Sequence, residues 1–101
     1  MIINFKLFEK YDEKFKLGDR VLYCPLGKLE SEDIYIVVGI KKSRRIGDMD
    51  SQQHILAKNE KTGLYKCLYF DRDIGLNEKY CWLNAYKFIS EDEYSTIKYN
   101  L

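Results

Sequence analysis

Proline occurs once in this chain of 101 residues, and alanine, the best helix former, only at Ala57 and Ala85. So little alanine is unfavourable for a mainly helical protein. There is no long apolar run either: Ile34 to Ile40 is the longest, far below the roughly 20 residues that span a bilayer. The opening Met1-Ile2-Ile3-Asn4-Phe5-Lys6 has no basic stretch ahead of an apolar core, so no signal peptide is expected. Net charge is nearly absent as well. Seventeen Lys and Arg face sixteen Asp and Glu, a formal +1. A body that coats nucleic acid by charge alone is thereby excluded, while a local basic patch is not.

The motifs of common catalytic machinery are missing too. The sequence has no Gly-x-Gly-x-x-Gly, no phosphate-cradling Walker loop and no strand–turn–helix nucleophile elbow. One histidine, His54, accompanies three cysteines, Cys24, Cys67 and Cys81. Each thiol falls inside a predicted extended segment, where cysteine behaves as a small hydrophobe. Their spacing contains no Cys-x-x-Cys, so a zinc set is not expected. An odd number of cysteines without a secretion signal reads as reduced thiols in a cytoplasmic protein. The acidic pairs Asp48/Asp50 and Asp71/Asp73 read as solvated turns. No cofactor is expected, and the chain reads as non-catalytic.

What the chain does have is aromatics: nine Tyr, five Phe and one Trp, which favour a pleated surface. One domain is expected over 1–101, with an N-terminal arm or short helix at 4–16, a β-barrel at 17–89 and a helix at 90–101. Phe5, Phe8, Tyr11 and Phe15 recur at spacings near three to four in the arm. Gly18-Asp19 turns into a strand that Pro25 must end. Asp33 to Lys42 is the strongest strand, with Ile34, Ile36, Val38 and Ile40 on one face and Tyr35, Val37 and Gly39 on the other. Gly39 within it suggests a bulge or a close backbone approach. Further strands are expected at Gln53–Asn59, Leu64–Phe70 and Tyr80–Ile89, the first two joined by a hairpin at Asn59–Gly63. Ser90-Glu91-Asp92-Glu93 is a capping box, and Tyr94, Ile97 and Leu101 form an apolar helical stripe.

Five short strands with small loops suit a small, strongly bent barrel. The Leu17-Gly18-Asp19-Arg20-Val21 opening, the long Tyr35–Ile40 strand, the Thr62-Gly63 hairpin and a final strand together resemble the SH3-like barrel superfold. The Gly-Asp-Arg-Val opening is similar to that of KOW and CarD-type modules. The resemblance covers residues 15–89 and implies a fold, not an activity.

Two features point to macromolecular binding. Lys41-Lys42-Ser43-Arg44-Arg45 puts four cations in five residues at the end of a rigid strand. The segments 64–70 and 80–86 are apolar or aromatic on both faces, so one face must be covered or be sticky. Tyr65, Tyr69, Trp82 and Tyr86 are candidate anchors, with Lys41, Lys42, Arg44 and Arg45 as a charged rim. The expected function is a protein-binding module, in the manner of a phage or mobile-element accessory protein that occludes a host enzyme or defence complex. A homodimer through an uncovered aromatic face is a further possibility. The alternative is nucleic-acid binding through the 41–45 loop and the barrel face.

Overall fold

The computed structural model describes residues 10–43, 50–69 and 72–99. Five antiparallel strands and one C-terminal helix make it mainly β: β2 (Arg20–Tyr23), β3 (Tyr35–Ser43), β4 (Asp50–Asn59), β5 (Trp82–Asn84), β6 (Phe88–Ser90) and α1 (Glu91–Tyr99). A short first strand, β1 (Lys10–Asp12), lies parallel to the start of β4. The sheet runs β1-β4-β3-β2-β6, and β5 pairs with β4 over Leu56–His54. Of the arm expected at 4–16, Lys10–Asp12 is strand; Phe5 and Phe8 lie outside the described residues.

The sheet is not closed into a barrel, where the sequence led to the expectation of a small barrel, closed or nearly so. The Gln53 side chain of β4 ties in the 14–15 segment that follows β1. Gln53, buried, accepts from the backbone N–H groups of Lys14 (3.1 Å) and Phe15 (2.9 Å) through Oε1. Its Nε2 donates to the Phe15 carbonyl at 2.7 Å, and Lys14 Nζ donates to the Phe88 carbonyl at 2.6 Å. The backbone groups of Lys14 and Phe15 are thus satisfied by one glutamine amide, and the Lys14 ammonium reaches the β6 carbonyl of Phe88.

A second correction concerns the predicted strand at 64–70. Among the described residues of that segment, β-bridges form at Tyr65 alone, to Lys58 on one side and Ile74 on the other. The chain then leaves the ladder because Cys67 and Cys81 turn onto Leu56, forming a small second core with Tyr65, Ile74, Tyr80 and Trp82 packed around it. The edge of β4 goes instead to β5. The hairpin turn itself forms where expected: Asn59 Oδ1 accepts from the N–H groups of Lys61 (2.8 Å) and Thr62 (3.2 Å), and Gly63 takes a φ of 74°.

The main core holds Phe15, Val21, Tyr35, Val37, Ile55, Ala57, Leu83, Ala85 and Phe88. On β3 the buried residues are Tyr35 and Val37, and the register then slips between Val37 and Gly39. That bulge leaves Val38 exposed and returns Ile40 to the core. Gly39 sits where the backbone comes close to the opposite residues: an added Cβ would lie 2.8 Å from Leu56 Cδ1 and 3.1 Å from Trp82 Cη2. The final predicted strand, 80–89, is broken by a 3-10 turn at Ala85–Lys87. Asn84 caps it by accepting from the Tyr86 N–H at 2.9 Å, and the alternation changes phase across it. Leu83, Ala85 and Phe88 all point inward as a result, while Tyr86 is exposed.

The helix starts as its capping box predicts, with the Glu93 N–H donating to Ser90 Oγ at 3.0 Å. Arg20 ties it to the sheet, its Nε donating to Glu91 at 2.9 Å while its Nη1 pairs with Glu60 in the hairpin turn. Leu101, the end of the expected apolar stripe, lies outside the described residues.

One buried polar lock fastens the 64–81 excursion to the main core. Tyr35 Oη donates to the Asp73 carboxylate (2.8 and 3.0 Å), which also accepts from Asn59 Nδ2 at 3.2 Å. Burial first, then the hydrogen bond to Asp73 and its charge, push the Tyr35 phenol well above its ordinary value of 10. The folded state thus holds this proton more tightly than the unfolded chain does. The stabilisation is fully present below pH 10 and is lost as pH climbs from there towards the raised value. Tyr35→Phe is expected to flatten the alkaline limb of a urea-midpoint-against-pH profile while lowering stability at pH 7.

Candidate interaction surface

The structure divides the predicted binding residues among several places. Lys41 and Trp82 come together on the outer face of the sheet, with Lys41 Nζ 4.9 Å from the centre of the indole ring. The register explains it. Gly39, Leu56 and Trp82 form one row across β3, β4 and β5, and Lys41, His54 and Asn84 form the next. Without a side chain on Gly39, the indole lies over the strand within reach of Lys41. Lys42 is exposed on the same strand. Arg44 and Arg45 lie outside the described residues.

Tyr65 is half-buried against the second core and so is spent on packing. Tyr69 is exposed and stands edge-on to Tyr80, with ring centres 5.7 Å apart. Tyr86 is exposed at the tip of the second 3-10 turn, where Lys14 Nζ lies 5.3 Å from its ring centre. The four proposed aromatic anchors therefore do not share one face.

Beside Tyr86 stands a residue that no sequence pattern singles out. Pro25–Gly27 forms a first 3-10 turn packed against the second one, and the Cys24 N–H donates to the Lys87 carbonyl at 2.7 Å to join them. Within it Leu26 has φ 55° and ψ 29°, and its side chain is fully exposed. It is the one non-glycine among the described residues with a positive φ. A leucine in that region costs about 1–2 kcal/mol against the right-handed alternatives. Nothing in the letters Pro25-Leu26-Gly27 announces this beyond a turn, because the strain falls on the leucine rather than on the glycine.

The outer row carries the chain's one histidine. Burial holds His54 below the ordinary 6.5; the nearby charges of Lys41 and Lys87 lower it too, against a backbone hydrogen bond at Gln52. Its Nδ1 is buried and without a hydrogen-bond partner. The folded protein therefore favours the neutral ring. Stability tied to His54 is present above pH 6.5 and drains away as pH falls from there through the lowered value. His54→Phe is expected to remove that part of the acid limb, read from unfolding midpoints between pH 7 and about 5.

Among the described residues no group of three or more potential metal ligands comes together, and no helix is long and apolar enough to cross a membrane. Compared with protein-family models, with curated proteins and with solved structures, the chain matches none of them.

Proposed function

We propose that this domain is a non-catalytic protein-binding module that docks through its paired 3-10 turns. Leu26 is the apolar anchor, Tyr86 is the aromatic beside it, and Lys14 and Lys87 supply charge at the rim. The observation that carries this reading is Leu26 itself. A fully exposed leucine in left-handed backbone gains nothing for folding, and glycine would serve the turn better. Strain of this kind persists where recognition needs a side chain held in place. The turn-to-turn bond and the Asn84 cap fix the backbone that carries both side chains before a partner arrives, which reduces the ordering cost of binding. A module of this size acts by covering a surface its partner needs. In a phage or mobile element, that surface would belong to a host enzyme or defence complex.

The path of the chain supports grouping the domain with the SH3-like small barrels, in an open form. A 3-10 turn separates β5 from β6, and β6 returns to pair with β2 rather than with β5.

Two measurements on one variant test the docking site. Leu26→Gly relieves the backbone and removes the anchor, so the domain is expected to gain about 1 kcal/mol of stability while losing its partner. A photoactivatable residue at position 26 or 86 is expected to give one discrete cross-linked protein in native cells, and the same residue at exposed Ile97 is not. Identical adducts from all three positions would sink the reading.

A second reading has its own observation: Lys41 stacked on Trp82 and in a row with His54, whose ring also feels the charge of Lys87, makes a cationic aromatic strip on the sheet face. Such a strip fits a single nucleic-acid strand. It predicts an affinity for single-stranded DNA that falls steeply with salt and with Trp82→Ala; absence of a complex at low salt removes it.

A further inference from the structure

We propose that Cys67 and Cys81 are a redox-modification site, a dithiol that closes to a disulfide on exchange with a small-molecule disulfide such as oxidised glutathione. The two residues bracket the excursion between β4 and β5. The backbone bond from the Leu68 N–H to the Tyr80 carbonyl, 2.9 Å, joins the residue just after the first cysteine to the residue just before the second. That bond draws the two cysteine backbones toward each other, and a disulfide requires such closeness. Both side chains are buried and belong to the same small cluster with Leu56. Each thiol points toward carbonyls of the segment it brackets: Cys67 Sγ donates to Arg72 (3.2 Å) and Cys81 Sγ lies 3.9 Å from the Gly75 carbonyl. None of the three cysteines is in a disulfide in this structure.

The chemistry balances with the named co-reactant. One cysteine, as thiolate, attacks a sulfur of the small disulfide, breaks its S–S bond and expels one small thiolate. The other cysteine, losing its proton to solvent, then attacks the mixed disulfide and expels the second. Two protein thiols are oxidised, and one disulfide is reduced to two small thiols. Because both sulfurs are buried, exchange runs through openings of the excursion, and the closed disulfide then opposes those openings. Cys24 has no comparable neighbour: it belongs to neither core cluster and lies by the 3-10 turns.

The test uses the whole protein equilibrated over a series of reduced-to-oxidised glutathione ratios, quenched with an alkylating reagent and weighed intact. The expected product has lost two hydrogens, carries one alkyl group, at Cys24, and yields a 67–81 cross-linked peptide. It also melts on the order of 10 °C higher than the reduced form. The Cys24→Ser variant should behave the same way, and Cys67→Ser should form no internal disulfide and show no rise. Three alkylatable thiols throughout the series, glutathione adducts alone, or a link that involves Cys24 would each overturn the proposal. None of these outcomes bears on docking through Leu26 and Tyr86, so the two readings fall separately.

Discussion

Gln53→Met is expected to cost about 3–5 kcal/mol, seen as a lower urea midpoint with little change in the slope of the transition. The replacement keeps the volume and the unbranched shape of the side chain, so packing changes little. What it deletes are the bonds to the Lys14 and Phe15 N–H groups and to the Phe15 carbonyl. The Phe15 groups are buried and have no water to turn to. Leaving a buried backbone group unsatisfied costs about 1–3 kcal/mol. A domain of this size has only about 5–15 kcal/mol in total, so this one amide sets a large share of its margin. Gln53→Glu is a useful companion. It keeps an acceptor but has lost the donor to the Phe15 carbonyl, and it brings a charge to a buried site. It should be no more stable than the methionine variant. If Gln53→Met unfolds at the parental midpoint, the glutamine amide does not hold the 14–15 segment to the sheet.

That bond set also marks the limit of what the sequence discloses. Elements whose causes are local were legible. The Gly18-Asp19 turn, the Asn59–Gly63 hairpin and the Ser90 capping box all depend on neighbours within a few residues, whereas the expected alternation of β3 fails at the bulge, which puts Ile40 with Tyr35 and Val37. The bulge was legible at Gly39 because a glycine weakens a β-branched run unless the backbone bends or meets a close neighbour there. The tie between β4 and the 14–15 segment was not legible, since it turns on a glutamine meeting backbone far away in the chain. Residues 64–70 read as a strand because burial of Cys67 against Leu56 leaves the same apolar signature that a sheet would. The candidate site was half legible. Exposed aromatics were expected as a class, yet burial separates Tyr65 and Trp82 from Tyr69 and Tyr86 through tertiary contacts. Leu26 was invisible, because no residue pattern signals a leucine held at positive φ.

The change of phase at the second 3-10 turn leads to the sharpest contrast the domain offers. Strict alternation along 80–89 places Tyr86 and Phe88 on one face, so truncating either should cost the same kind of stability. In the structure Phe88 is wholly buried, and Tyr86 retains 54% of its exposure. The Phe88 ring packs against those of Tyr23 and Tyr35, with centres at 5.3 and 6.4 Å in tilted and edge-on arrangements. Phe88→Ala therefore removes a ring from the middle of the main core and is expected to cost about 3–5 kcal/mol. The cavity would lie beside Tyr35 and so loosen the lock to Asp73 as well. Tyr86→Ala leaves no cavity, and its expected cost is within about 0.5 kcal/mol. Binding should sort the two the other way. On the proposed docking, Tyr86→Ala is expected to fold normally and fail to hold a partner, whereas the Phe88→Ala protein that remains folded should still present Leu26 and Tyr86. Urea midpoints and cross-linking yields on the same two proteins separate the roles. Equal losses of stability would mean that the strand runs unbroken through Ala85–Lys87 and that the anchoring tyrosine belongs to the core.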